Sequence, residues 1–126
     1  MAESNKPKHL VLVVEDESLI RMESVDMIRD LGFEVIEAVD ADEAVSLLES
    51  VAGIEVVFTD IQMPGSMDGL KLAAAVRGRW PPIKIIATSG RHVLREGELP
   101  TGALFLPKPY SSEGISSLLN ELSAGV

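Results

Sequence analysis

The strongest constraint on this 126-residue chain is an alternation between two kinds of apolar pattern. Short β-branched runs occur at His9–Val14 (HLVLVV), Phe33–Ala38 (FEVIEA), Val56–Thr59 (VVFT), Ile83–Ala87 (IKIIA) and Ala103–Leu106 (ALFL). Such runs, rich in valine and isoleucine and bounded by turn residues, read as strands. The first is apolar nearly throughout, as expected of a strand buried on both faces. Between the runs the period becomes helical. Ile20, Ser24, Met27 and Leu31 recur at helical spacing, and Gly32 supplies a stop. Asp40 reads as a cap with an acid three residues on, ahead of Ala44, Leu47 and Leu48. A third helix is expected over Gly69–Arg77, ended by Gly78 and Pro81-Pro82. A last one carries Ile115, Leu118, Leu119 and Leu122, with Ser111 or Ser112 as its cap.

Strands alternating with helices build a parallel sheet covered on both faces. Right-handed crossovers then restrict the α/β topology to a doubly wound sheet. The segment Gly90–Gly102 has three glycines, a proline and few apolar residues, so a short or irregular fourth helix is expected there. Residues 1–8 read as a flexible N-terminal arm and residues 9–126 as one domain. The chain is 46% hydrophobic, enough for a core rather than a disordered coil.

Charge and composition narrow the chemistry. Twenty acidic residues against 11 basic ones give a net charge of −9, which disfavours nucleic acid and anionic membrane as partners. No stretch is long and apolar enough to span a bilayer, and a cytoplasmic location is expected. Absence of cysteine removes disulfides, thiolate catalysis and cysteine-based zinc sites. His9 and His92 read as surface residues rather than ligands.

In open α/β sheets, ligands bind beyond the carboxyl ends of the strands. Glu15, Asp16 and Glu17 follow the first predicted strand, Asp60 the third, Thr88 and Ser89 the fourth, and Lys108 the fifth. A parallel sheet gathers these ends around one crevice. Carboxylates packed there repel by roughly 4 kcal/mol per pair at ~4 Å and an effective dielectric of ~20, so a cation is called for. Oxygen ligands without His or Cys select magnesium, calcium or manganese. Magnesium, with few carboxylates, retained waters and phosphate oxygens, fits Asp16, Asp60 and a backbone carbonyl. A carboxylate is also a nucleophile that forms an aspartyl phosphate. Phosphoryl transfer needs positioning and charge neutralisation, which a metal, Lys108 and the Thr88 hydroxyl supply.

Taken singly, each residue has a plainer reading. Glu15-Asp16 reads as a helix cap, Asp60 as a turn former before Pro64-Gly65, Lys108 as a solvated strand-end charge, and Thr88 and Ser89 as turn hydroxyls.

The set Val14-Glu15-Asp16-Glu17, Asp60-Ile61-Gln62-Met63-Pro64-Gly65, Met67-Asp68-Gly69, Ala87-Thr88-Ser89-Gly90 and Lys108-Pro109 resembles the receiver domain of bacterial two-component response regulators, of the chemotaxis-regulator type. The resemblance covers essentially the whole chain after its arm. It implies a flavodoxin-like five-stranded sheet of order 2-1-3-4-5. It implies that Asp60 takes a phosphoryl group from a histidine kinase or histidine phosphotransfer protein, without being an enzyme in its own right. Asp60, Asp16 and the Gln62 backbone carbonyl would bind Mg²⁺, with Glu15 acting through a metal-bound water. Thr88 and Lys108 would hold the phosphoryl group, and a cis peptide would precede Pro109. Thr88 and Phe105 would form the switch, and the last helix and fifth strand an output or self-association surface.

The chain departs from the family pattern in places. Glu15 stands where aspartate is common, the Pro64–Gly69 loop is one residue longer than the commonest form, and Phe105 has no hydroxyl, so a rotamer switch there would be steric. Four other functions compete. A metal-dependent phosphatase or phosphotransferase would want a second Asp at the position of Gln62. A flavin module would want an aromatic-rich phosphate loop. A pseudo-receiver would keep the fold without accepting phosphate. A serine hydrolase built on Ser89 lacks the flanking glycine of a nucleophile elbow.

Overall fold

The computed structural model describes residues 9–63, 65, 67–90, 95 and 97–124. The predicted arm, residues 1–8, therefore lies outside the described residues, as do Pro64 and Ser66 of the long loop. Five strands form one sheet: β1 (Leu10–Val14), β2 (Glu34–Ala38), β3 (Ile54–Asp60), β4 (Lys84–Ser89) and β5 (Leu104–Pro107). All pair in parallel, in the order β2-β1-β3-β4-β5. Helices α1 (Ser18–Asp30), α2 (Ala41–Ser50), α3 (Gly69–Arg79) and α4 (Ser112–Ala124) cover it. The sheet is thus the expected doubly wound one.

Side chains alternate across each strand, so the sheet feeds two cores. Leu12, Val57 and Ile85 face Ala44 and Leu48 of α2 and Leu72 and Val76 of α3. Val13, Phe58 and Ile86 face Val25 and Ile28 of α1 and Ile115 and Leu119 of α4. Ile28 and Leu72 are fully buried, each contributing ~1.5–3 kcal/mol of transfer free energy.

The helix ends follow local chemistry. Gly32, at φ 98°, closes α1: its N–H donates to Arg29 O and that of Phe33 to Ile28 O, which is the Schellman pattern. Asp40 accepts from Glu43 N–H at 2.8 Å, as its sequence position indicates. Asp68 does the same for Lys71 N–H at 2.9 Å, at the start of α3. Of the two serines offered as caps for α4, Ser111 is the one that accepts, from Gly114 N–H.

Three expectations are corrected. Helix α3 does not stop at Gly78 but continues through it to Arg79. Arg77 fastens this end by donating to Pro81 O at 2.8 Å, which offsets the weak helix propensity of glycine. Strand β3 is longer than Val56–Thr59 and takes in Asp60. Strand β4 takes in Thr88 and Ser89. Parallel pairing of Asp60 with Thr88 keeps these polar ends in the ladder. The predicted fourth helix falls partly on residues 91–94 and 96, outside the described residues; residues 97–102 form turns and bends.

Candidate functional site

The parallel ladder continues just past the strands and brings the polar ends together. Glu15 N–H donates to Ala38 O, Ile61 N–H to Thr88 O, and Lys108 N–H to Ser89 O. Gly69 completes the frame. A Cβ at this position would lie 2.0 Å from the backbone oxygen of Asp60, so only glycine lets α3 start against the end of β3.

Carboxylate oxygens of Glu15, Asp16 and Asp60 converge to within 4.8 Å of one another. Glu15 is 3% and Asp60 6% exposed, whereas Asp16 faces solvent. Lys108 Nζ bridges two of them, at 3.1 Å from Glu15 Oε1 and 3.3 Å from Asp60 Oδ2. The second Glu15 oxygen accepts from Glu17 N–H at 3.1 Å. Burial pushes the Glu15 carboxyl above its ordinary pKa, and the negative charge of Asp60 adds to this. Together they outweigh the bonds from Glu17 and Lys108. For Lys108, burial works against the charged form but loses to the hydrogen bond it donates to Glu15 and to the charges of Asp60 and Glu15, so its pKa is raised.

Thr88 is buried and pairs in register with Asp60 on one side and Leu106 on the other. Gln62 gives its backbone N–H to Asp60 Oδ1 at 3.3 Å, and its side-chain oxygen accepts from Ser89 Oγ at 3.2 Å. Phe105 is half-buried beside Ala87. The peptide between Lys108 and Pro109 is cis. Glu15, Asp16, Asp60, Gln62, Thr88 and Lys108 therefore share one end of the sheet. Phe105 sits further down β5.

The plainer readings fare unequally. Helix α1 is capped by Glu17, whose side chain makes no capping bond, so Glu15 and Asp16 are not cap residues. Asp60 does accept the Gln62 N–H as a turn aspartate would. A turn, however, gives no reason to bury it beside a second acid.

Three contacts around the site escaped the sequence reading. Arg21 donates from Nη1 to the backbone oxygen of Glu15 at 2.8 Å and from Nε to Glu37 at 3.2 Å. Ser89 holds Gln62. Tyr110 hydrogen-bonds Ser24 and meets Phe58 edge-on, with ring centroids 5.6 Å apart. For the last, a signal existed: Ser24 occupies a core position in an otherwise apolar helical series, and a buried hydroxyl needs a partner.

A cavity of about 470 Å³, lined by Glu17, Ile20, Asp60, Gln62, Gly90 and Lys108, opens over the carboxylates. The donor set suits a hard divalent cation: oxygen ligands only, in a partly desolvated crevice, with more negative charge than Lys108 neutralises.

Comparison with known proteins agrees with this architecture. The family model of the response regulator receiver domain matches residues 11–120. The chain is 36% identical over 116 residues to the sensor kinase CckA of Brucella abortus, covering 89% of this chain and 12% of that protein. It is 36% identical over 119 residues to the transcriptional regulatory protein PdtaR of Mycobacterium tuberculosis, covering 92% of this chain and 56% of that one. The chain thus spans about half or less of the length of these curated relatives. Among solved structures, the Vibrio cholerae chemotaxis protein CheY4 superposes with a TM-score of 0.81 at 26% identity, covering 92% of this chain and 99% of that one. With its sheet order, its convergent strand ends and a family match over nearly all its length, the chain belongs to the response regulator receiver domains.

Proposed function

We propose that Asp60 is the phosphoacceptor of a two-component signalling step, taking its phosphoryl group from a phosphohistidine of a histidine kinase or histidine phosphotransfer protein. The observation that carries this reading is the position of the Asp60 carboxylate. It is buried at the end of β3, open to a cavity, beside two acids and 3.3 Å from Lys108 Nζ. An Asp60 carboxylate oxygen attacks phosphorus, the P–N bond to the donor imidazole breaks, and the ring nitrogen leaves with the electron pair. Lys108 neutralises charge on the transferred group, and the Thr88 hydroxyl donates to a phosphoryl oxygen. Asp16, Asp60 and the Gln62 backbone carbonyl would hold Mg²⁺, and Glu15 would act on it through a water. When bound, the ion neutralises phosphoryl oxygens and relieves repulsion among the carboxylates.

On this reading the domain is a switch rather than an enzyme. Phosphorylation draws Lys108 and Thr88 toward Asp60, and the change passes to Phe105 sterically. Strand β5 and helix α4 then form the surface that meets an output partner or a second copy. No helix of the described residues is long and apolar enough to cross a membrane, in keeping with a cytoplasmic regulator.

The experiment is phosphorylation by acetyl phosphate with Mg²⁺, read by intact mass, beside backbone amide shifts on adding beryllofluoride. Wild type should gain one phosphoryl group, and its signals near Asp60, Thr88 and Lys108 should move. Identical behaviour of wild type and Asp60→Asn would reject the acceptor assignment.

A further inference from the structure

Two groups that the phosphoryl chemistry does not use meet beside the site. Ser24 lies in the middle of α1 and is 1% exposed. Its hydroxyl donates to Ile20 O at 3.0 Å, one helical turn back. A serine has one proton to give, so the bond between Ser24 and Tyr110 takes its proton from the phenol. Burial raises the phenol pKa, which keeps it a donor. The Tyr110 ring also stands edge-on to Phe58, two residues before Asp60 in β3. Tyr110 is two residues after Lys108. The loop carrying the lysine is therefore held twice: to β4 by the bond from Lys108 N–H to Ser89 O, and to α1 and β3 by Tyr110.

Packing alone does not dictate this arrangement. A cavity of about 410 Å³, walled by Ile20, Met27, Lys108, Pro109 and Tyr110 among others, adjoins the ring. The ring has space to leave its place, and the hydroxyl bond works against that. Without it, Tyr110 would hold the Lys108 loop to β3 through its contact with Phe58, with no hydrogen bond to α1.

We propose that Tyr110 is a positioning residue whose hydroxyl bond to Ser24 fixes the Lys108 loop against α1 and so sets where the Lys108 ammonium stands over Asp60. The role in catalysis rests on the phosphoacceptor reading of Asp60; the placement of Lys108 does not.

The test uses the full chain as wild type, Tyr110→Phe, Ser24→Ala and the double variant. Val76→Ala, a core truncation across the sheet, is the control for lost stability alone. Two quantities are read: the ¹⁵N NMR signals of the Lys108 amide and ammonium without phosphodonor, and the rate of phosphorylation by acetyl phosphate with Mg²⁺. Tyr110→Phe and Ser24→Ala should displace the Lys108 signals alike, while Val76→Ala leaves them in place. Each should slow phosphorylation about three- to tenfold, the range expected for one lost hydrogen bond, and the double variant should be no slower than either single. Unmoved Lys108 signals, displaced signals with an unchanged rate, or single effects that multiply in the double variant overturn the proposal. If wild type and Asp60→Asn both fail to take up phosphate, the acceptor reading falls, and the Lys108 signals alone decide the positioning claim.

Discussion

The Lys108 ammonium stands 3.1 Å from Oε1 of Glu15 and 3.3 Å from Oδ2 of Asp60. The lysine bond favours the Glu15 carboxylate, yet the Glu15 pKa is raised, because burial and the charge of Asp60 outweigh the bond. The lysine therefore compensates the acidic cluster only in part.

This sets a pH dependence. A group whose pKa is raised on folding contributes stability that is fully present below its unfolded value, here 4.5, and is lost as pH rises through the folded value. Lys108, also raised, keeps its contribution until pH passes 10.5, so Glu15 is the one of the two that titrates on the acid side. A divalent cation offsets the charge that Glu15 acquires. Mg²⁺ should thus raise the melting temperature more near pH ~8 than near pH ~4.5. Thermal melts with and without the ion at both pH values check this, and equal increments would count against a cation held by this cluster.

Gly69→Ala should destabilise the fold by about 3 kcal/mol or more, because the new methyl meets backbone rather than a movable side chain. The end of β3 would have to shift, taking Asp60 with it. Urea denaturation gives the stability loss, and the Asp60 amide signal reports the displacement. A loss within ~0.5 kcal/mol, the range of ordinary surface changes, would contradict the close approach.

Gly78→Ala should do the reverse. Gly78 lies inside α3, and a Cβ there meets nothing within 4 Å. Its φ is not positive, so alanine fits the backbone as it stands. A gain of about 0.5–1 kcal/mol is expected, as a higher urea midpoint with an unchanged slope. A lower midpoint would mean that Gly78 marks a break in the helix after all.

Much of the candidate site is legible in the sequence because it depends on strand order alone. Once five strands run parallel, Glu15, Asp16, Asp60, Thr88 and Lys108 must gather at one end. Periodicity likewise located Gly32 and Asp40 and narrowed the cap of α4 to Ser111 or Ser112, since roles at helix ends are local. The end of α3 is not legible at Gly78, because glycine weakens a helix by only about 1 kcal/mol and Arg77 secures that end through contacts with the following loop.

The sequence by itself determined which faces are buried and which polar residues lie beyond the strands, since both follow from side-chain periods of two and about 3.6 residues. Only the tertiary structure decided the partners. Lys108 pairs with Glu15 as well as Asp60, Ser89 with Gln62, and Tyr110 with a serine 86 residues earlier. Those choices depend on side-chain lengths and a few ångströms of helix placement against the sheet, which no local pattern along the chain encodes.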